Sequence, residues 1–266
     1  MHPKIMAEIE NKSNENEENE SLISHLVELR NRLLKSILAW LCIFAIICFY
    51  PGSSAIYDFL AIPLTSALPE GTKMVAIGVI TPFIVPLKIS LLVAFIFALP
   101  IILYQIWAFV APGLYPSEKK LGLPVVLFST LLFLLGMAFC YYFVFGQVFK
   151  FIANFAPASI TPAPDIEAYL SFVITMFIAF GITFEVPIVL VALVKLGVLS
   201  VKQLKNYRSY FIVLAFVIAA IVTPPDVVSQ LALAIPMCLL YEVGILVAKT
   251  IQSKSETTES ENVENE

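Results

Sequence analysis

Runs of about 20 mainly apolar residues, the length that crosses a hydrocarbon core of about 30 Å, recur along most of this sequence. Inside lipid the backbone N–H and C=O groups have no water to bond, and a helix satisfies them within its own segment. The composition agrees, because 59% hydrophobic residues, 21 Phe and only 14% charged residues do not describe a soluble domain of 266 residues. The chain is therefore read as all-α and polytopic in a membrane.

The pattern predicts six spans, at about 34–50, 86–110, 121–149, 168–194, 210–222 and 227–248. An even number puts both termini on one side. With the termini fall Lys4, Lys12, Arg30, Arg32, Lys35, Lys119, Lys120, Lys195, Lys202, Lys205, Arg208, Lys249 and Lys254, while the far side holds Lys73, Lys88 and Lys150. Thirteen cations against three is the bias of cytoplasmic loops, so both termini are expected in the cytoplasm.

The formal net charge of −4 misleads, since 11 of the 20 acidic residues lie in two polar tails. Residues 1–20 and 251–266 are expected to be disordered, flanking a six-helix body at 21–250. Without the tail acids and Lys4, Lys12 and Lys254, 13 basic residues face 9 acidic ones, and the embedded body is net positive. The first 20 residues lack the basic start and apolar run of a cleaved signal peptide, leaving the first span to direct insertion. Cys42, Cys48, Cys140 and Cys238 all sit in apolar runs without a CxxC, as small hydrophobes in helix contacts rather than redox or metal groups.

Prolines shape the expected bundle. Pro100, Pro187 and Pro236 interrupt spans, each freeing a carbonyl and permitting a bend. Pro224 and Pro225 set a tight corner that joins the last two spans as a hairpin. The fifth span has only about 13 apolar residues, roughly 20 Å of helix, short of the hydrocarbon thickness. A bent, cup-shaped bundle with locally thinned bilayer is expected. The first external connection, about 51–85, reads as a long proline-punctuated loop, and no internal repeat aligns the two halves.

Several charged residues stand out against this background. In "SLISHLVELRNRLLKS", Leu22, Leu26, Leu29 and Leu33 make one apolar stripe of a helix lying at the cytoplasmic interface. Glu28 on that helix stands four residues before Arg32, the spacing of an ordinary i,i+4 pair. The loop "WAFVAPGLYPSEKKLG" displays Tyr115 and Glu118, with Lys119 and Lys120 beside the carboxylate. Glu185 lies within a span, two residues before Pro187. An ionised carboxylate facing lipid costs several kcal/mol, so Glu185 requires a polar partner, a hydrated concavity or a proton. An interhelical hydrogen bond is the plainer alternative.

Four ordered segments, "HLVELRNRLL", "ILYQIWAFVAPGLYPSEKK", "FGITFEVP" and "TPPDVVSQLALAIPMCLLYEVGI", resemble the TatC family, the multi-spanning core of the twin-arginine protein translocase. The resemblance covers about residues 24–248. It implies a receptor for twin-arginine signal peptides of folded preproteins in the cell inner membrane, with both termini cytoplasmic. It further implies TatA-like and TatB-like single-span partners, homo-oligomerisation within the complex, and energy from the proton gradient. No cofactor, metal or nucleic acid is implied.

Carried over on this basis, Glu28 and Glu118 match the carboxylates that receive the arginine pair. Arg30 and Leu33 would orient Glu28 and line the groove; Phe109, Pro112 and Tyr115 would shape the loop. Pro63 and Asp226 match external positions, for which a structural role, loop rigidity and a helix N-cap, stands beside direct contact with cargo. Glu185 and Pro187 match the family's "FEVP" and would line the concave wall where a partner docks. The competing class is a small-solute secondary transporter or an intramembrane protease using Glu185 and Glu242, which leaves Glu118 and the external loop without a role. No nucleophile–base set, metal cluster or nucleotide loop supports a soluble-type enzyme.

Overall fold

The structure, a computed structural model, describes residues 3–49, 54–67, 74–110, 122–155, 163–223 and 226–264. It comprises α1 (Pro3–Phe49), α2 (Ser54–Thr65), α3 (Thr81–Val110), α4 (Gly122–Phe139), a π-helical turn (Cys140–Val144), α5 (Phe145–Phe155), α6 (Ile166–Lys195), α7 (Val201–Asn206), α8 (Arg208–Val222) and α9 (Val227–Glu264). No strand is present among the described residues, only an isolated bridge between Val75 and Asp165. The protein is all-α.

Among the described residues, five segments are long and apolar enough to cross a membrane: Ile23–Cys48, Thr81–Phe109, Leu123–Phe155, Ile166–Lys195 and Val227–Gln252. The sixth, α8, has 15 residues, about 22 Å at 1.5 Å per residue. The expected short apolar segment is thus helical. The first span starts earlier than expected because the amphipathic segment and the apolar run form one unbroken helix; Glu28, Arg30, Arg32 and Lys35 had disguised that continuity.

Two other expectations differ from the structure. Of the two tails expected to lack structure, 1–20 and 251–266, the described residues 3–20 and 251–264 continue the helices, with α1 beginning at Pro3 and α9 running to Glu264. Extending an existing helix avoids the nucleation cost, and Glu is a good helix former. The first external connection is not loop throughout, since α2 lies in it with Pro63 inside. Pro63 has no N–H, which frees the carbonyl of Phe59 four residues back. Tyr141 on the π-helical turn donates its hydroxyl to that carbonyl at 2.6 Å, and Tyr169 on α6 donates to the next one, Leu60. Tertiary hydrogen bonds therefore stabilise a helix that its proline argues against.

The helices pack in an open row: α1 on α3, α3 on α4 and α6, α4 on α6, α6 on α9, and α8 on α9. The ends of the row, α1 and α8, are not a packed pair. Small residues bring α4 and α6 close. A Cβ on Gly136 would lie 2.5 Å from the carbonyl oxygen of Phe180, and one on Gly181 would overlap the Phe133 ring. In lipid, where helices gain no hydrophobic drive to associate, such close backbone approach supplies the packing. Phe145, Phe180, Leu170, Val173 and Cys140 form the sealed centre. Of the four free cysteines only Cys140 is buried, while Cys42 and Cys48 are exposed on α1.

At the start of α6 Val75 donates to Pro164 O at 3.0 Å and accepts from Ile166 N–H at 3.0 Å. Lys88 on α3 bridges to Glu167 on α6 at 2.9 Å, and Thr81 donates to the same carboxylate at 3.1 Å. These contacts tie α3 to the start of α6 and fix the relative height of their opposite ends.

Candidate functional site

Near the terminal side of α1, Glu28 accepts from Arg32 Nε at 2.8 Å and from Arg32 Nη2 at 2.6 Å, both on Oε1. Its other oxygen, Oε2, has His25 Nδ1 at 3.9 Å. The carboxylate is about one third exposed, so the pair is screened and each partner can exchange. The end of α3 braces this cluster: the Phe109 ring stacks on His25 at 4.4 Å, and Gln105 Oε1 accepts from Arg32 Nη1 at 3.5 Å. Gln105 and Phe109 are four residues apart and share one face of α3.

Arg32, not Arg30, orients Glu28. Arg30 is exposed and, among the described residues, donates to its neighbour Asn31 at 3.4 Å. Helix geometry explains the difference, since position 32 stacks above position 28 and position 30 lies on the opposite face. Leu33 is 57% exposed, and with Leu26 and Leu29 it faces away from the bundle as an apolar stripe. Pro112, Tyr115 and Glu118 lie outside the described residues, as do Lys119 and Lys120.

The second polar cluster is intramembrane. Ser129 on α4 donates its hydroxyl to Glu185 Oε2 on α6 and accepts from the Trp107 indole N–H on α3 at 3.3 Å. Glu185 Oε1 is buried without a hydrogen-bond partner among the described residues. The antiparallel α4–α6 register carries this meeting: Gly136 opposes Phe180, Phe133 opposes Gly181, and one turn further Ser129 opposes Glu185. Glu185 is ten residues from the end of α6 at Lys195, about 15 Å along the helix axis. Pro187 is buried inside α6 and lies against Gly244 on α9, whose Cβ would sit 3.0 Å from its Cα.

Asp226 is the N-cap of α9, its Oδ1 accepting from Ser229 N–H at 2.7 Å. Glu242, a candidate partner for Glu185 in a transport or proteolytic site, is engaged elsewhere: Arg208 Nη2 donates to it at 2.7 Å, and both side chains are exposed. The two carboxylates do not form one site. Sequence reasoning missed His25, Gln105, Trp107 and Ser129. Their signal was present, as polar or amphipathic side chains inside or flanking apolar runs, but nothing in one dimension pairs residue 129 with residue 185.

The described family model for "Sec-independent protein translocase protein (TatC)" matches residues 24–236. The chain belongs to the TatC family. It is 47% identical over 246 residues to the TatC of Haemophilus influenzae, covering 92% of this chain and 95% of that one. Against the TatC of Escherichia coli K12 it is 44% identical over 243 residues, covering 91% and 93%. A solved structure titled "Crystal Structure of Twin Arginine Translocase Receptor- TatC" superposes with a TM-score of 0.75 at 43% identity, covering 85% of this chain and 98% of that one. A TatC chain is a multi-pass membrane protein, and the helix row described above is a TatC fold.

Proposed function

We propose that this chain is the signal-peptide receptor and core subunit of a twin-arginine translocase, a binding and assembly protein rather than an enzyme. One observation carries the reading: Glu28 already holds a guanidinium, through one oxygen only. An ionised carboxylate has about four lone-pair sites, and Arg32 uses those of Oε1. An incoming arginine can share Glu28 through Oε2 or displace Arg32, whose intrahelical pairing is worth only about 0.3–0.5 kcal/mol. The fork of a guanidinium matches a carboxylate bidentately where a lysine ammonium does not, which gives a basis for preferring Arg-Arg over Lys-Lys.

In this reading Glu28 and Glu118 each take one arginine of the pair on the cytoplasmic side, where both termini lie. Arg30, Leu33, Phe109, Pro112 and Tyr115 surround the peptide, and the apolar part of the signal enters beside the helix row. Pro63 and Asp226 serve the external framework. The relatives' shared name as a translocase protein supports the transport role. The open row of helices has no room for a folded protein, so TatA-like and TatB-like single-span proteins complete the path, copies of this chain assemble within the complex, and the proton gradient of the inner membrane supplies energy. Glu185, with an oxygen unpartnered among the described residues and two residues before Pro187, is the polar mark on the wall where such a partner docks.

The test is crosslinking of the purified full chain to a peptide bearing S-R-R-x-F-L-K and to its Lys-Lys counterpart. Preferential capture of the Arg-Arg peptide through positions near Glu28 is expected. Equal capture of both removes the receptor assignment.

A further inference from the structure

We propose that Trp107 is a positioning residue for the intramembrane carboxylate, and that the turn of α3 carrying it links signal-peptide docking at Glu28 to Glu185. The inference rests on the receptor reading and goes beyond it by naming how the two sites communicate. Gln105 and Phe109 on one face of the turn contact Arg32 and His25 of the Glu28 cluster. Trp107, two residues from each, is about 200° around the helix and contacts Ser129, which contacts Glu185. One rigid turn therefore touches both sites through opposite faces.

The chemistry of the relay is directional. An indole N–H can only donate, so its bond to Ser129 Oγ leaves the single hydroxyl proton of the serine to be given elsewhere. In a helix the default recipient is the carbonyl four residues back. The adjacent Thr130 takes that course, donating to Val126 O at 2.8 Å. Ser129 instead donates to Glu185 Oε2, and the indole hydrogen bond favours this arrangement. With Oε2 held, Oε1 has no donor among the described residues and is the acceptor left for a further one. An arginine arriving at Glu28 competes with Arg32, which is also the donor to Gln105. Docking thus alters the contacts of the turn that carries Trp107.

The full chain has two tryptophans, and Trp40→Phe makes Trp107 the sole emitter. Anisotropy of a labelled S-R-R-x-F-L-K peptide reports binding, while unlabelled peptide is titrated against tryptophan emission. A shift in Trp107 emission that saturates with the anisotropy, and is absent with the Lys-Lys peptide, is expected. Trp107→Phe and Ser129→Ala should each bind the peptide like the parent chain yet lower transport about tenfold, beyond the roughly threefold that loss of one interhelical hydrogen bond gives through stability. Unchanged emission while anisotropy reports binding overturns the link. Transport at parental level in both variants overturns the positioning role. Absence of any anisotropy change instead sinks the receptor reading itself, and the inference with it.

Discussion

Glu28 and Glu185 are the same side chain in two solvents. Glu28 is part-exposed, paired to a guanidinium through one oxygen, and braced by residues that themselves touch solvent. Glu185 is shared among three helices, receives a neutral hydroxyl, and keeps one buried oxygen without a partner among the described residues. In water a charge pair is cheap to exchange, so the outer carboxylate suits a ligand that comes and goes. Inside the bilayer every hydrogen bond left unmade is costly, so the inner carboxylate suits a partner that stays. Location decides what each can receive.

The largest expected effect breaks the comparison at its outer end. Glu28→Gln should weaken Arg-Arg peptide affinity by about 10- to 100-fold, the ~1.5–3 kcal/mol of a charge-assisted bond, measured by peptide anisotropy. Undiminished affinity would remove Glu28 from the site. Gly136→Leu acts only on the inner end, forcing α4 off α6 where the carbonyl of Phe180 approaches. A loss of about 1–3 kcal/mol is expected from overpacking, read as earlier thermal unfolding in detergent, with peptide affinity per folded chain unaltered.

Glu185→Leu against Glu185→Gln sharpens the inner end further. If Glu185 only aids packing, its removal costs about 0.6 kcal/mol, the mean for an interhelical hydrogen bond in a membrane. Transport by the leucine variant is expected to fall about tenfold at equal chain level, with glutamine partly restoring it; wild-type transport by leucine would end the docking role of this residue. The smallest effect is a gain. Arg32→Gln removes the intramolecular competitor for Glu28 and should raise peptide affinity about twofold, in keeping with the ~0.3–0.5 kcal/mol of an i,i+4 pair.

Much of the fold is legible in the sequence, and little of the pairing is. The spans, the short α8 and the Asp226 cap follow from apolar length, proline and capping chemistry, all local properties. Helix α2 is not legible, because Pro63 reads as a breaker until Tyr141, 82 positions along the chain, satisfies the carbonyl of Phe59. At the outer site the i,i+4 partner Arg32 is readable, whereas His25 and Phe109 meet only because α1 and α3 pack. At the inner site a lone glutamate in an apolar run announces a polar partner without naming it.

Taken alone, the sequence determined that the chain is all-α, that several of its helices are long and apolar enough to cross a bilayer, and that the helix before the Pro224–Pro225 corner is short. Those properties depend on transfer free energy summed along one dimension, which composition already contains. Only the tertiary structure decided which polar atoms meet, Ser129 with Glu185 and Trp107 behind them, or Tyr141 with Phe59. Such meetings depend on the register between packed helix faces, and glycines that admit a neighbour's backbone set that register at distances no single segment encodes.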